Sequence, residues 1–319
     1  MKKTILATVL TSLFAATTAH SAMMHDADGI SVELYGEIEI QYLNKLNEDE
    51  DAVLEINDAN FGVQAGYDVN DDVTAFGVVS FDAADVDSDE NRNAVLDDAY
   101  VGFASEKYGT ITAGQQVTVF DDAGIGSDFE FGLASFYEQD DAGKQVIKYT
   151  IDKDTVYGSV AYLIDNGESD DGESAIDGKI GVRFEGVDLT AFYGRSELDG
   201  GGDRSNLNLE ARYTMGDVTI AGAYASLNTD DQSALAGDVD NFGLAATYQL
   251  GKASFATGWS LTDFDLNSRN GGDKLNTYFV NAAYAFSSNV TSYIEIGGVD
   301  GSAELDSELG YVAGMRVTF

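Results

Sequence analysis

From Ile30 to the last residue, the chain is a succession of short segments in which apolar and polar residues alternate. A period of two is the signature of strands with one apolar and one polar face. The segments are joined by connections that are by turns very short and longer. The short ones fall at 68–72, 105–109, 151–154, 186–188, 215–217, 250–252 and 287–289. The longer ones fall at 45–51, 82–95, 116–143, 164–178, 197–205, 227–239, 263–273 and 299–304. Seven short and eight long connections in strict alternation join sixteen strands and leave both ends of the sheet on the short-turn side. That is the plan of an up-and-down antiparallel barrel.

Alternation also assigns the faces. Val32, Leu34, Ile38, Ile40 and Tyr42 share one side of the first strand, and Glu33, Glu37, Glu39 and Gln41 the other. Further on, Leu207, Leu209, Ala211 and Tyr213 oppose Asn208, Glu210 and Arg212, and Tyr278, Val280, Ala282, Tyr284 and Phe286 line one face of a later strand. A soluble sandwich would alternate as well. Sixteen hairpin-linked strands, however, close into a barrel too wide for side chains to fill, so its interior holds water and its apolar face meets lipid. The expected fold is therefore all-β: a transmembrane antiparallel up-and-down barrel of about sixteen strands, with Glu33, Glu37, Glu39, Glu210 and Arg212 on the lumen wall. The absence of proline suits a nearly continuous sheet, in which every backbone N–H has a ladder partner. No stretch offers about 18 consecutive apolar residues, so helical spans are excluded.

The first residues set the compartment. Lys2 and Lys3 precede an apolar run at 5–16 and the small-residue stretch Ala19-His20-Ser21-Ala22. This predicts a secretory signal peptide at 1–21, cleaved after Ser21 or Ala22, followed by a single barrel domain over 22–319. At the other end, Tyr311, Ala313, Met315, Val317 and Phe319 alternate with Gly310, Val312, Gly314, Arg316 and Thr318. Arg316 thereby joins the lumen wall, and the terminal aromatic suits a membrane interface.

Acidic residues number 56 against 17 Lys and Arg, a net charge of −39 that becomes two units more negative without Lys2 and Lys3. Such a chain repels phosphates, so nucleic acid is excluded as a partner. The 17 Tyr and 17 Phe argue against disorder. There is no cysteine, and the two histidines, His20 and His25, lie in or beside the leader. Catalysis by a histidine triad has no material, and the chain reads as non-enzymatic with no cofactor and no structural metal. Acidic loops such as 85–90 lack the ligand spacing of a calcium cage; at most they would bind divalent cations weakly.

The connection 116–143 stands apart. It carries Val117, Val119, Phe120, Ile125, Phe129, Phe131, Leu133, Phe136 and Tyr137, too much apolar surface for a loop in water. It is expected to fold inward after the fifth strand and narrow the channel with Asp121, Asp122, Asp128 and Glu130. Those carboxylates would concentrate cations and repel anions.

Several of these residues carry a resemblance. Val32-Glu33-Leu34-Tyr35-Gly36-Glu37, Ala99-Tyr100-Val101-Gly102-Phe103, the run from Tyr108-Gly109 to Gly114, and the terminal Phe319 resemble the general trimeric porins of Gram-negative outer membranes, those of marine gamma-proteobacteria above all. The resemblance implies a water-filled diffusion channel whose loop after the fifth strand enters the pore. It aligns Phe129-Glu130-Phe131-Gly132 with the family's acidic loop motif, with Phe129 standing where proline is usual. The family's basic ladder falls here on Glu37, Asn60, Asp97 and Gln115, none of them basic, with Lys144 and Lys148 near its remaining position. The implied partners are two further copies in a homotrimer, outer-membrane lipid and lipopolysaccharide, and small hydrophilic solutes and cations. The barrel-insertion machinery would read the terminal strand through Tyr311, Met315, Val317 and Phe319. Two other functions stay open at this point: a substrate-selective channel, for instance for oligosaccharides, and a barrel without a channel that serves as adhesin or anchor.

Overall fold

The computed structural model describes residues 21–46, 51–83, 94–133, 142–164, 174–198, 202–230, 237–266, 273–301 and 308–319. Residues 1–20 of the expected leader, Phe136, Tyr137 and the acidic stretch 85–90 lie outside the described residues.

Among the described residues the strands run in chain order as β1 (Ala22–Ala27), β2 (Ile30–Asn44), β3 (Val53–Asn70), β4 (Val73–Asp82), β5 (Val95–Ser105) and β6 (Gly109–Val117). There follow β7 (Ala142–Lys153), β8 (Val156–Leu163), β9 (Ala175–Phe184), β10 (Val187–Glu197), β11 (Asp203–Met215) and β12 (Val218–Asp230). The last are β13 (Gly237–Leu250), β14 (Ala253–Leu266), β15 (Asp273–Ser287), β16 (Val290–Gly301) and β17 (Glu308–Thr318). From β2 onward each strand pairs antiparallel with the next, and β17 pairs with β2. These sixteen strands close the expected barrel.

One strand was not foreseen. β1 folds back onto β2 through Asp28-Gly29, both at positive φ, the geometry of a type I′ hairpin turn. The Asp-Gly pair is the sequence signal for it. β17 occupies the edge of β2 as far as Glu37, Phe319 exchanges two backbone hydrogen bonds of 2.9 Å with Gly36, and β1 covers Leu34 to Ile30. The seam edge of β2 is thus filled by β17 and β1, one beyond the other.

Inside and outside follow the alternation. Ile38, Ile40 and Tyr42 are exposed on the outer surface, whereas Glu37, Glu39 and Gln41 are buried on the inner one. Outward-facing aromatics gather near the short turns (Tyr67, Phe103, Phe184, Tyr213, Tyr284) and again toward the long connections (Tyr42, Phe61, Tyr193, Trp259, Tyr311). Two such girdles around an apolar band are what a bilayer requires of a barrel. On the inner face, several rings lie over a glycine directly opposite on the neighbouring strand: Tyr35 over Gly62, Phe76 over Gly102, Tyr157 over Gly181 and Tyr293 over Gly314. A Cβ at any of these glycines would collide with the ring, so the pairs hold large aromatics flat against the wall and out of the lumen.

The same device closes the seam. A Cβ on Gly36 would sit 2.6 Å from the Phe319 ring. Deleting Phe319 is expected to lower the amount of barrel assembled in the outer membrane, and Gly36→Val, which evicts the ring, to do likewise. Wild-type levels of both variants, measured by heat-modifiable gel migration, would remove the terminal residue from any role in closure.

Candidate functional site at the inward loop

After β6 the chain turns in a single 3-10 turn, Phe120–Asp122, and residues 118–133 lie against the inner wall. An irregular segment carries backbone N–H groups with no ladder to join, and each must find an acceptor. Three carboxylates of the wall supply them. Asp177 on β9 accepts the N–H groups of Val119 and Phe120 at 2.8 and 2.9 Å. Glu210 on β11 accepts that of Gly124 at 2.6 Å, while Arg212 donates to the Gly124 carbonyl. Glu295 on β16 accepts three, from Phe129, Glu130 and Phe131, at 2.9, 2.9 and 2.6 Å. Asn281 on β15 donates both to the Ser127 carbonyl and to Glu295.

The apolar residues of the segment seat between these anchors. Phe120 packs on Phe192 over Gly194, and Ile125 on Ala221 and Ala245. Phe129 stacks on Tyr293, with ring centroids 3.9 Å apart and planes at 5°. Phe131 fills a notch left by Gly297 and Gly310, with Leu43, Phe279 and Val312 around it. From its root at β6, the segment's contacts follow the wall from β9 to β17 and on to β2, where Gln41 donates to Glu130 at 3.0 Å. The inner face of β3 to β5 therefore forms the other side of the opening.

The four expected constriction acids are all on this segment, in unlike settings. Asp121 and Glu130 are exposed, and Asp122 is ion-paired with Lys179 of β9 at 2.5 Å. Asp128 folds back beside Gly126 and Gly132. Burial pushes its carboxyl above the usual carboxylate range, against a backbone hydrogen bond and with help from the Glu295 charge.

Of the expected wall residues, Glu33, Glu37 and Glu39 are buried on β2, and Asn60 bonds Asp58 on β3 at 2.8 Å. Arg316 lies across the seam, paired with Glu37 at 3.0 Å and with Glu39. Glu210 and Arg212 face inward as a pair at 2.7 Å. Asp97 accepts from Ser80 at 3.1 Å. Lys144 is exposed at the start of β7, where the register with β6 slips. Gln115 departs from the expectation. Thr112 and Gln116 are buried and bond each other at 2.6 Å, which puts Gln115 on the alternate, outward side. Its amide donates to the carbonyls of Leu96 and Asp97, and Gln116 holds the wall position instead.

The terminal residues divide as the alternation requires. Tyr311, Met315 and Phe319 are exposed outward, and Val317 shares their side.

Sequence reasoning missed Asp177, Glu295, Asp98 and Lys179. The first two are single acids between outward apolar neighbours, Ile176-Asp177-Gly178 and Ile294-Glu295-Ile296, where alternation alone points them inward. Lys148, Lys179 and Arg212 stand on the inner face of β7, β9 and β11, beneath the loop. Of these basic residues, Lys148 and Arg212 had been named from the sequence and Lys179 had not.

Replacing Glu295 by Leu strands three donors, at a cost on the order of 1–3 kcal/mol each. The loop tip is expected to come free, giving larger and noisier single-channel currents. Gly297→Val, which displaces Phe131 with Glu295 intact, should reproduce the noise. Quiet, wild-type conductance in both would show that neither contact holds the loop.

Comparison with known proteins agrees with this geometry. A family model described as Gram-negative porin matches residues 7–304. Porin-like protein H of Photobacterium profundum, a marine gamma-proteobacterium, is 32% identical over the whole of both chains. The trimer form of in-vitro folded OmpT, an outer membrane protein of Vibrio cholerae, aligns at a TM-score of 0.76 and 21% identity, over 92% of this chain and 100% of that one. The anion-selective porin from Comamonas acidovorans aligns at 0.71 and 16%, over 91% and 100%. The match along most of the length and the full-length relative establish that this chain belongs to the Gram-negative porins, channel-forming β-barrels of the outer membrane.

Proposed function

We propose that the channel prefers cations and passes ions and small hydrophilic solutes without a dedicated substrate. One observation carries the reading: carboxylates border the opening on both sides, while most of the cations nearby are already spoken for. Asp121 and Glu130 stand on the loop, and Asp58, Asp82, Asp97 and Asp98 on β3 to β5. Against them, Lys179 is paired with Asp122, Arg212 with Glu210, and Arg316 with Glu37 and Glu39. A water-filled opening in a low-dielectric wall focuses such a field, and salt screens it over about 8 Å at physiological strength.

In a planar bilayer under a salt gradient, the reversal potential is expected to report potassium passing better than chloride, most strongly at low ionic strength. Raising the salt should erode the preference. Lowering the pH into the carboxylate range should erode it too, because protonation removes the charge. A chloride preference would overturn the reading.

Assembly as a homotrimer, export behind a leader cleaved after Ser21 or Ala22, and capture of the Phe319 end by the insertion machinery belong to the same proposal. Unheated gel migration of detergent-extracted protein should give a trimer. A clean monomer refutes that part alone.

A further inference from the structure

The side of the opening away from the loop contains an irregularity. Pairing between β4 and β5 slips between Val79 and Phe81, so that Asp97 and Asp98 both fall opposite Ser80. Ser80 is a buried inner-face residue. Its hydroxyl donates to Asp97 at 3.1 Å and accepts the backbone N–H of Asp98 at 2.9 Å. Regular alternation would send one of two adjacent side chains outward; a bulge lets both point to the lumen. Asp98 lies within electrostatic reach of Asp97, of Lys148 on β7 and of Asp121 on the loop. Lys148 in turn donates to the Val117 carbonyl at 2.9 Å, at the point where the loop leaves the wall. Wall, loop root and one lysine therefore meet at one place.

The loop carboxylates farther along are less available. Asp122 is neutralised by Lys179, Asp128 is turned into the loop's own backbone, and Glu130 is held by Gln41. We infer that Asp98, set against Lys148 at the loop root, is a specificity-determining residue of the pore. The inference rests on the cation-preferring reading and locates it. Asp98 draws cations into the passage, and Lys148 subtracts from that attraction, so the two substitutions should act with opposite sign.

The test is the potassium-to-chloride permeability ratio of the intact, bilayer-reconstituted protein at low salt. Removing one unit charge from the wall of the opening should change the ratio roughly two- to fivefold. D98N should lower it and K148Q should raise it, whereas K148R leaves it near wild type. D128N should shift it less than D98N. If D98N fails to assemble, the sign of the K148Q shift still decides: a fall or no change overturns the inference. A cation-preferring wild type whose D98N ratio is unchanged also overturns it, and leaves the functional reading standing. A wild type that prefers chloride removes both.

Discussion

The pore depends on a few carboxylates that spend their charge on backbone N–H groups. Residues 118–133 run through a water-filled barrel as irregular chain, where solvent alone would leave them free to move. Asp177, Glu210 and Glu295 each take one or more of their amide protons, and charge-assisted bonds of this kind are about twice as strong as neutral ones. The size of the opening follows from where those three side chains stand on β9, β11 and β16.

Packing then makes the anchoring specific. Phe120, Phe129 and Phe131 each meet a shaped partner: the space over Gly194, the face of Tyr293, and the notch at Gly297 and Gly310. Glycine serves here by what it leaves empty. The same economy recurs around the barrel, where inner-face aromatics lie over glycines of the adjacent strand and keep the wall thin. A barrel of this width cannot fill its interior with side chains, so it places apolar mass only where the loop must be held.

Charge is distributed with a comparable division of labour. Lys148, Lys179 and Arg212, on β7, β9 and β11, lie under the loop, and Lys179 neutralises its Asp122. The arc from β3 to β5 carries acids and amides, among them Asp58, Asn60, Gln64, Asp97 and Asp98. The fold itself is indifferent to the sign of the ion, since function is grafted onto a barrel through particular side chains. The field across the opening is a property of which strands those side chains occupy.

Much of this was legible in the sequence, for a physical reason. Alternation of period two is local, so the sixteen strands of the closed barrel and the inner positions of Glu37, Glu39, Glu210 and Arg316 could be read residue by residue. The apolar content of the connection after the fifth strand likewise required it to be covered. What alternation cannot supply is which inner residues face one another across the lumen. It placed Gln115 on the wall, where the register puts Gln116. It took Asp122 and Asp128 for free charges, although one is paired with β9 and the other folded into the loop. It overlooked Asp98, although alternation with the exposed Val101 and Phe103 already points that residue inward; the slip of β5 against Ser80 is what turns Asp97 inward beside it. The sequence by itself determined the barrel, its two faces and the existence of an inward loop, because each depends on neighbours along the chain. Only the tertiary structure decided where the loop is pinned and which charges remain exposed, because those depend on contacts between residues far apart in the chain, 166 positions in the case of Phe129 and Glu295.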